Sequence, residues 1–239
     1  MDFIGLTSGG KDSIYSIYKL IKNGNNLIAL LYMESNEIYT DSYMYQTVGS
    51  EALRYNAECM DIPLHIYPIK NTAKNIELEY EETIEDEIED LYFAILDMKK
   101  KYAFTGVSSG AILSKYQKNR VENICQRLDL ISLSPLWNLD QKNLLNEMIE
   151  NGMKAVIVKV ATPALKKECI NMEISGIQNV LSENQCGEGG EYETIVIDCP
   201  IFKKKIIIKD YSVEVHPEEI EKRQITFYMK INKIELKEK

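Results

Sequence analysis

Through the first 160 residues, short apolar runs alternate with segments of helical period, and few folds accept that pattern. DFIGLT (2–7), LIALLYM (27–33), LHIYPIK (64–70), YAFTG (102–106) and AVIVKV (155–160) read as strands. Between them, apolar residues recur at three- and four-residue spacing. Ile14, Ile17, Tyr18 and Ile21 mark a helix from Lys11 to the stop signal Asn23-Gly24, and a second helix is expected over 43–60. Ile84, Ile88, Leu91, Tyr92 and Ile95 mark a third, Val121, Ile124, Cys125 and Leu128 a fourth, and Leu144, Leu145, Met148 and Ile149 a fifth. Strands that are apolar throughout are buried on both faces, and helices between them act as parallel crossovers. The expected fold is therefore an α/β doubly wound parallel sheet.

After residue 186 the character changes. ETIVID, KKKIIIK, YSVEV and ITFYMKINKIEL are strand-like, with little helix between them. The chain divides on this reading into residues 1–132 and a smaller α+β region, 133–239. The run Glu85, Asp86, Glu87, Glu89 and Asp90 on the third helix reads as a solvated face.

Composition narrows the partners. With 239 residues and 45% hydrophobic content the chain can bury a real core, and a formal charge of −9 disfavours a nucleic-acid surface, which needs clustered Lys and Arg. Five cysteines, widely spaced and without a CxxC pair, and only two histidines speak for reduced thiols and against a structural zinc site. MDFIGL has no basic leader region, and no apolar run reaches about 18 residues. A soluble, cytoplasmic protein with no membrane partner is expected; a homodimer is compatible with this.

The loop after the first strand carries the chemistry. Gly5 to Lys11 fits G-x4-G-K, but Asp12 stands where a Walker A loop has the magnesium-binding hydroxyl, and Gly5 lies inside the apolar run. What remains is Ser8-Gly9-Gly10-Lys11-Asp12-Ser13 between strand end and helix start, where backbone amides and the helix dipole converge on an anion. It resembles the PP-loop, SGGxDS, of the ATP pyrophosphatases, which cleave ATP to AMP and pyrophosphate. The resemblance implies that ATP lies on Ser8–Ser13, with Lys11 and Ser8 on its phosphates and Mg2+ between them and Asp12. The adenosine would cross the strand ends near Tyr32, Met33 and Gly106, at the topological switch point.

A second signature, CGEGGEYETIVIDCP (186–200), sets Glu188, Glu191 and Glu193 around Gly189-Gly190 before a strand. A strand starting near Glu191 would put Glu191 and Glu193 on one face. Spacing leaves open whether these carboxylates form a solvated acidic hairpin, hold a metal, or collect and deprotonate an ammonium ion.

The PP-loop, DSYMYQTVG (41–49), GAILSKYQKNRVENIC (110–125), PLW (135–137) and GEGGEYETIVIDCPIF (187–202) occur in this order. Together they resemble the diphthine–ammonia ligase family over nearly the whole chain. The resemblance implies a HUP-type ATP-binding domain, a smaller domain that helps bind the protein substrate, and amidation of diphthine on translation elongation factor 2 by ammonium. It implies Lys11, Asp12, Glu188, Glu191 and Glu193 as catalytic candidates, with Tyr192, Thr194, Gly189 and Gly190 at the substrate. Tyr43, Tyr45 and Gln46 are candidates to face the diphthine group, because aromatic rings suit quaternary ammonium; they read equally as a helix start with core contacts. Arg120 and Trp137 read as substrate contacts or as packing. The segment ATPALKKECINMEISG (161–176) is shorter than the family's usual loop. The alternatives are a PP-loop enzyme acting on tRNA, of thiolation or lysidine type, and a non-catalytic adenine-nucleotide-binding module.

Overall fold

A computed structural model describes residues 1–35, 44–46, 48–215 and 226–239. Strands β1 (Asp2–Leu6), β2 (Asn26–Ser35), β3 (Leu64–Ile69), β4 (Gly106–Ser108) and β5 (Ile131–Leu133) form one sheet in the order β3-β2-β1-β4-β5, every pair parallel. Helices α1 (Lys11–Lys22), α2 (Leu53–Met60), α3 (Glu87–Lys101) and α4 (Lys115–Arg127) lie between the strands in the chain. Neighbouring strand residues part company at once: Phe3 and Leu30 enter one apolar cluster, Ile4 and Leu31 another. Both faces of the sheet are thus covered, which is why its strands carry no polar alternation. Each fully buried Leu, Ile or Phe contributes about 1.5–3 kcal/mol relative to exposure.

The chain begins in the middle of this sheet, builds outward to β3, and returns to add β4 on the other side of β1. That reversal is a topological switch point, where open α/β sheets place a crevice at the carboxyl ends of their strands.

Strands β6 (Lys154–Val160), β7 (Tyr192–Asp198), β8 (Lys204–Val215) and β9 (Phe227–Glu238) form a second, antiparallel sheet in the order β7-β6-β9-β8. The expectation that 155–160 extends the parallel sheet is therefore corrected. Ala155, Val156, Ile157 and Val158 are all buried, and an apolar run reports burial on both faces rather than strand direction. Helix α5 (Gln141–Glu150) joins the two sheets, fastened to α1 by Tyr15 and Lys19 on Glu147 and by Tyr18 on Asn151. One apolar cluster runs from Phe3 and Ile14 through Leu144 and Met148 to Ile157 and Ile195.

Other expectations shift locally. The strand read as 102–106 is β4, which starts only at Gly106, because α3 continues to Lys101 and Tyr102 closes it. The helix read as 43–60 shrinks to a 3-10 turn, Ser50–Ala52, and α2. Tyr45 and Gln46 lie in irregular backbone, while Tyr43 falls outside the described residues. KKKIIIK and YSVEV are parts of the single strand β8, and the three-residue β5 was not foreseen.

The acidic run is not a solvated face. Asp86, Glu87 and Glu89 are buried. Asp86 caps α3 through Ile88 N and accepts the amides of Lys74 and Asn75, each at 2.8 Å. Glu89 takes both guanidinium nitrogens of Arg127 and the Tyr80 hydroxyl. The long β3–α3 loop has amides that need acceptors, and these carboxylates supply them.

Candidate active site

Helices α3, α4 and α5 each begin with a side-chain cap, from Asp86, Ser114 and Asp140, whereas α1 begins at Gly10 without one. Uncapped amides at a helix start are unsatisfied donors. Gly9 makes the preceding turn with φ of +79°, a conformation costly for residues with a Cβ. Gly110, in the loop after β4, packs directly on this turn: a Cβ there would stand 2.7 Å from Ser13 N and 2.9 Å from the Asp12 carbonyl carbon. Because those are backbone atoms, Gly110→Ala must push the two loops apart. It is expected to cost about 1–3 kcal/mol in stability, measured by thermal denaturation.

The second sheet closes on the same loop. Strand β7 is an edge strand, and its free edge is used by the glycine turn: Val196 N donates to Gly9 O at 2.9 Å, and Lys11 N donates to Thr194 Oγ1 at 3.1 Å. Asn56 Nδ2 donates to Val196 O, and Gln46 Nε2 to Thr194 O. Ser8 Oγ donates to Gln46 Oε1 at 3.3 Å. These bonds cap an edge that would otherwise be left open. Of the loop amides, Gly9 N is held by Thr7 Oγ1 and Lys11 N by Thr194 Oγ1.

Lys11 is 2% exposed. Its Nζ donates to Asp12 Oδ2 at 2.7 Å and to the Cys186 carbonyl, and lies 5.1 Å from the centroid of the Tyr192 ring. Burial alone would lower its pKa, but Asp12, Tyr192 and Cys186 outweigh it, so Lys11 remains a cation. Burial raises the Asp12 carboxyl against the pull of Lys11, and Asp12 Oδ1 is buried without a hydrogen-bond partner. Burial pushes the Cys186 thiol up to about 12, away from the thiolate form.

The three glutamates of the second signature part from one another. Glu188 lines the cavity, with Oε2 accepting Leu113 N at 2.8 Å. Burial raises its pKa, the Leu113 amide opposes, and the charge of Asp12 raises it further. Glu191 turns back on its own loop, accepting Gly189 N and Asn184 Nδ2, each at 2.8 Å. Glu193 pairs with Lys159, its cross-strand neighbour on β6, at 2.9 Å. The expected common face for Glu191 and Glu193 fails because β7 starts at Tyr192, leaving Glu191 in the turn. Among the described residues no group of three or more His, Cys, Asp or Glu could hold a metal.

These groups border a cavity of about 640 Å³ at the carboxyl ends of β1, β2 and β4. Its polar lining includes Ser8, Lys11, Asp12, Ser13, Glu188 and Thr194; its apolar and aromatic lining includes Leu6, Met33, Met44, Leu91, Tyr116 and Val121. Tyr32, Tyr45, Gln46, Gly189, Gly190, Tyr192 and Glu193 also line it, and Gly9 and Gly10 are buried beside it. Gly106 is not brought there. It sits at the opposite, amino end of β4 against Phe3 and Leu133, and Ser109, Gly110 and Ala111 take the place expected of it. Sequence reasoning missed Tyr116 and Gln117, although their place just after the small-residue loop GVSSG, at the start of a helix, was a usable signal.

Fold and site together define a PP-loop nucleotide-binding α/β protein with an added antiparallel sheet. Family models for the diphthamide synthase N-terminal domain and C-terminal domain match residues 1–132 and 140–234. Diphthine–ammonia ligase of Danio rerio is 43% identical over 92% of this chain and 91% of that protein, and the Mus musculus protein of the same name is 39% identical over 100% and 94%. In the Schizosaccharomyces pombe protein, 42% identical, the match spans only 37% of its length. A solved chain from Methanocaldococcus jannaschii, described as a predicted subunit of a tRNA methyltransferase, aligns over 84% of this chain at 16% identity and a TM-score of 0.42, too remote to carry an argument. The chain belongs to the diphthine–ammonia ligase family.

Proposed function

We propose that this chain amidates the diphthine carboxylate of translation elongation factor 2, using ATP and ammonium. The observation that carries the reading is the joining of the two signatures on one cavity: Lys11 bonds through its amide to Thr194 and through its Nζ to the Cys186 carbonyl. A loop suited to phosphates and a segment bearing carboxylates thereby face the same space.

An acid is not converted directly to an amide by ammonia, because oxide is too poor a leaving group. Attack of the carboxylate oxygen on the α-phosphorus of ATP forms a mixed anhydride and releases pyrophosphate; ammonia then forms the C–N bond and AMP leaves. The uncapped start of α1 and the Lys11 ammonium stabilise charge on the departing pyrophosphate. Thr7 and Thr194 hydroxyls hold two loop amides in the orientation that phosphate oxygens would take over. The adenine base would take the apolar lining that Met33, Leu91, Tyr116 and Val121 contribute. In this reading residues 1–132 supply the ATP site and residues 133–239 help to bind the protein substrate.

Magnesium fits Asp12, whose Oδ1 is a buried carboxylate oxygen without a hydrogen-bond partner. The ion would offset phosphate charge, with phosphate oxygens as its other ligands. Glu188 is the base for ammonium, because burial favours its taking a proton. Glu191 shapes the glycine turn, and Glu193 is held by Lys159.

No helix among the described residues is long and apolar enough to cross a membrane. The decisive experiment mixes the chain with ATP, magnesium, ammonium and elongation factor 2 bearing diphthine. Acid-to-amide conversion, read by mass spectrometry together with AMP, supports the reading. ADP as product, or no amide, refutes it.

A further inference from the structure

Beside the lining residue Val121 stands a fully buried cation that does not itself line the cavity. Arg120 on α4 has 0% exposure, and its terminal nitrogens donate to three backbone carbonyls. One terminal nitrogen donates to Tyr116 O at 3.2 Å; the other donates to Asn75 O at 2.5 Å and Glu77 O at 3.0 Å. Its Nε is buried without a partner. The guanidinium carbon lies 3.2 Å from the centroid of the Tyr116 ring and 5.2 Å from that of Tyr80. A cation buried against carbonyl dipoles and ring faces is costly, and a methionine would fill the space at less cost to stability. Packing alone does not call for arginine here.

What Arg120 touches suggests its use. Tyr116, Gln117 and Val121 all line the cavity. Arg120, one turn further along α4, grips Tyr116 twice, through ring and carbonyl. Its other hand is on the β3–α3 loop, which is itself fixed by Asp86 on the amides of Lys74 and Asn75. The planar fork can hold a ring face and two carbonyls at once, which an ammonium cannot. A tyrosine ring near a helix start has more than one rotamer open to it, and a guanidinium stacked on one face removes that freedom.

We propose that Arg120 is a positioning residue that holds the Tyr116 ring as one wall of the slot for the adenine base, so that it sets affinity for ATP and not the rate of chemistry. This rests on the nucleotide reading of the cavity given above.

The test compares the full chain carrying Arg120→Met, Arg120→Lys, Tyr116→Leu and the double change Arg120→Met/Tyr116→Leu. Each is measured for KM of ATP, KM of the protein substrate and kcat in the amidation assay, with direct ATP binding by calorimetry and the melting temperature. Arg120→Met should raise the KM for ATP about tenfold, with kcat within about threefold of the parent and the KM of the protein substrate unchanged. Arg120→Lys should fall between. The double change should be little worse than Tyr116→Leu alone, since the two residues act as one unit.

An unchanged KM for ATP overturns the proposal. So does a fall in kcat at constant KM, which is what a merely structural loss of active molecules produces, and so does full additivity of the two changes. If Arg120→Met does not fold, Arg120→Lys decides by the same criterion, because it loses the bidentate anchor. If the parent chain binds no ATP, the nucleotide reading falls and this proposal with it. If the parent binds ATP and the Arg120 variants keep its KM, only this proposal falls.

Discussion

Lys11→Met should lower amidation by about 10²–10³-fold, the size of effect seen when a preorganised charge at a developing anion is removed. Lys11 is 2% exposed and its ammonium lies 2.7 Å from Asp12 Oδ2, over the Tyr192 face and against the Cys186 carbonyl. On the proposed reaction the loss is double: pyrophosphate would forfeit a cation, and Asp12 is left as an uncompensated carboxylate. Breaking a fully buried pair costs about 3–5 kcal/mol, and the figure here should be lower because the Asp12 side chain keeps 28% exposure. The sign of the Asp12 shift follows the same logic. Burial already raises its pKa with Lys11 in place; without Lys11 it should rise further, and the destabilisation should ease as pH falls through that value. Adding Asp12→Asn to Lys11→Met should restore melting temperature without restoring amidation. Amide yield by mass spectrometry and thermal denaturation read the two effects separately, and a variant that keeps amidation within tenfold of the parent would remove Lys11 from the reaction.

The second large effect falls on one glutamate of three. Glu188→Gln should cut amidation by about 10²-fold, the usual contribution of a positioned general base, and should leave pyrophosphate release in the first turnover less affected. Glu191→Gln should change it only a few-fold, because a glutamine oxygen can still accept Gly189 N. Burial, aided by the charge of Asp12, raises the Glu188 pKa above the glutamate reference of 4.5 despite the Leu113 amide. The basic form is lost as pH falls through that raised value, so the parent should lose amidation on mild acidification, and Glu188→Gln should flatten this limb. The same shift means that charged Glu188 costs stability at neutral pH, so Glu188→Gln should melt no lower than the parent. Equal losses at positions 188, 191 and 193 would contradict the separation of roles.

Much of the site was legible in order and little of it in direction. The strand–SGGKDS–helix unit reads directly from the sequence, because an apolar run, two glycines and a helical stripe are all local signals. So does the join between GEGGEYET and a strand. The fate of the carboxylates does not read out. Glu191 and Glu193 are two residues apart, yet one caps a turn while the other pairs across strands, and a start of β7 one residue later than expected is enough to separate them. Gly106 was given to the nucleotide because a glycine at a strand end suits close approach; the strand runs from it, not to it.

Composition and period determined by themselves that this chain makes a parallel βα sheet with a glycine turn after its first strand, since burial pattern and glycine conformation are properties of neighbouring residues. Only the tertiary structure decided that β6 leaves that sheet for an antiparallel one, that β7 lends its free edge to the glycine turn, and that Arg120 faces a tyrosine instead of a carboxylate. Although the Tyr116 ring is only one helical turn from Arg120, the contacts that fix these features reach far along the chain, 45 positions between Arg120 and Asn75 and 183 between Lys11 and Thr194, and a side chain's partner at that range is set by how whole elements pack.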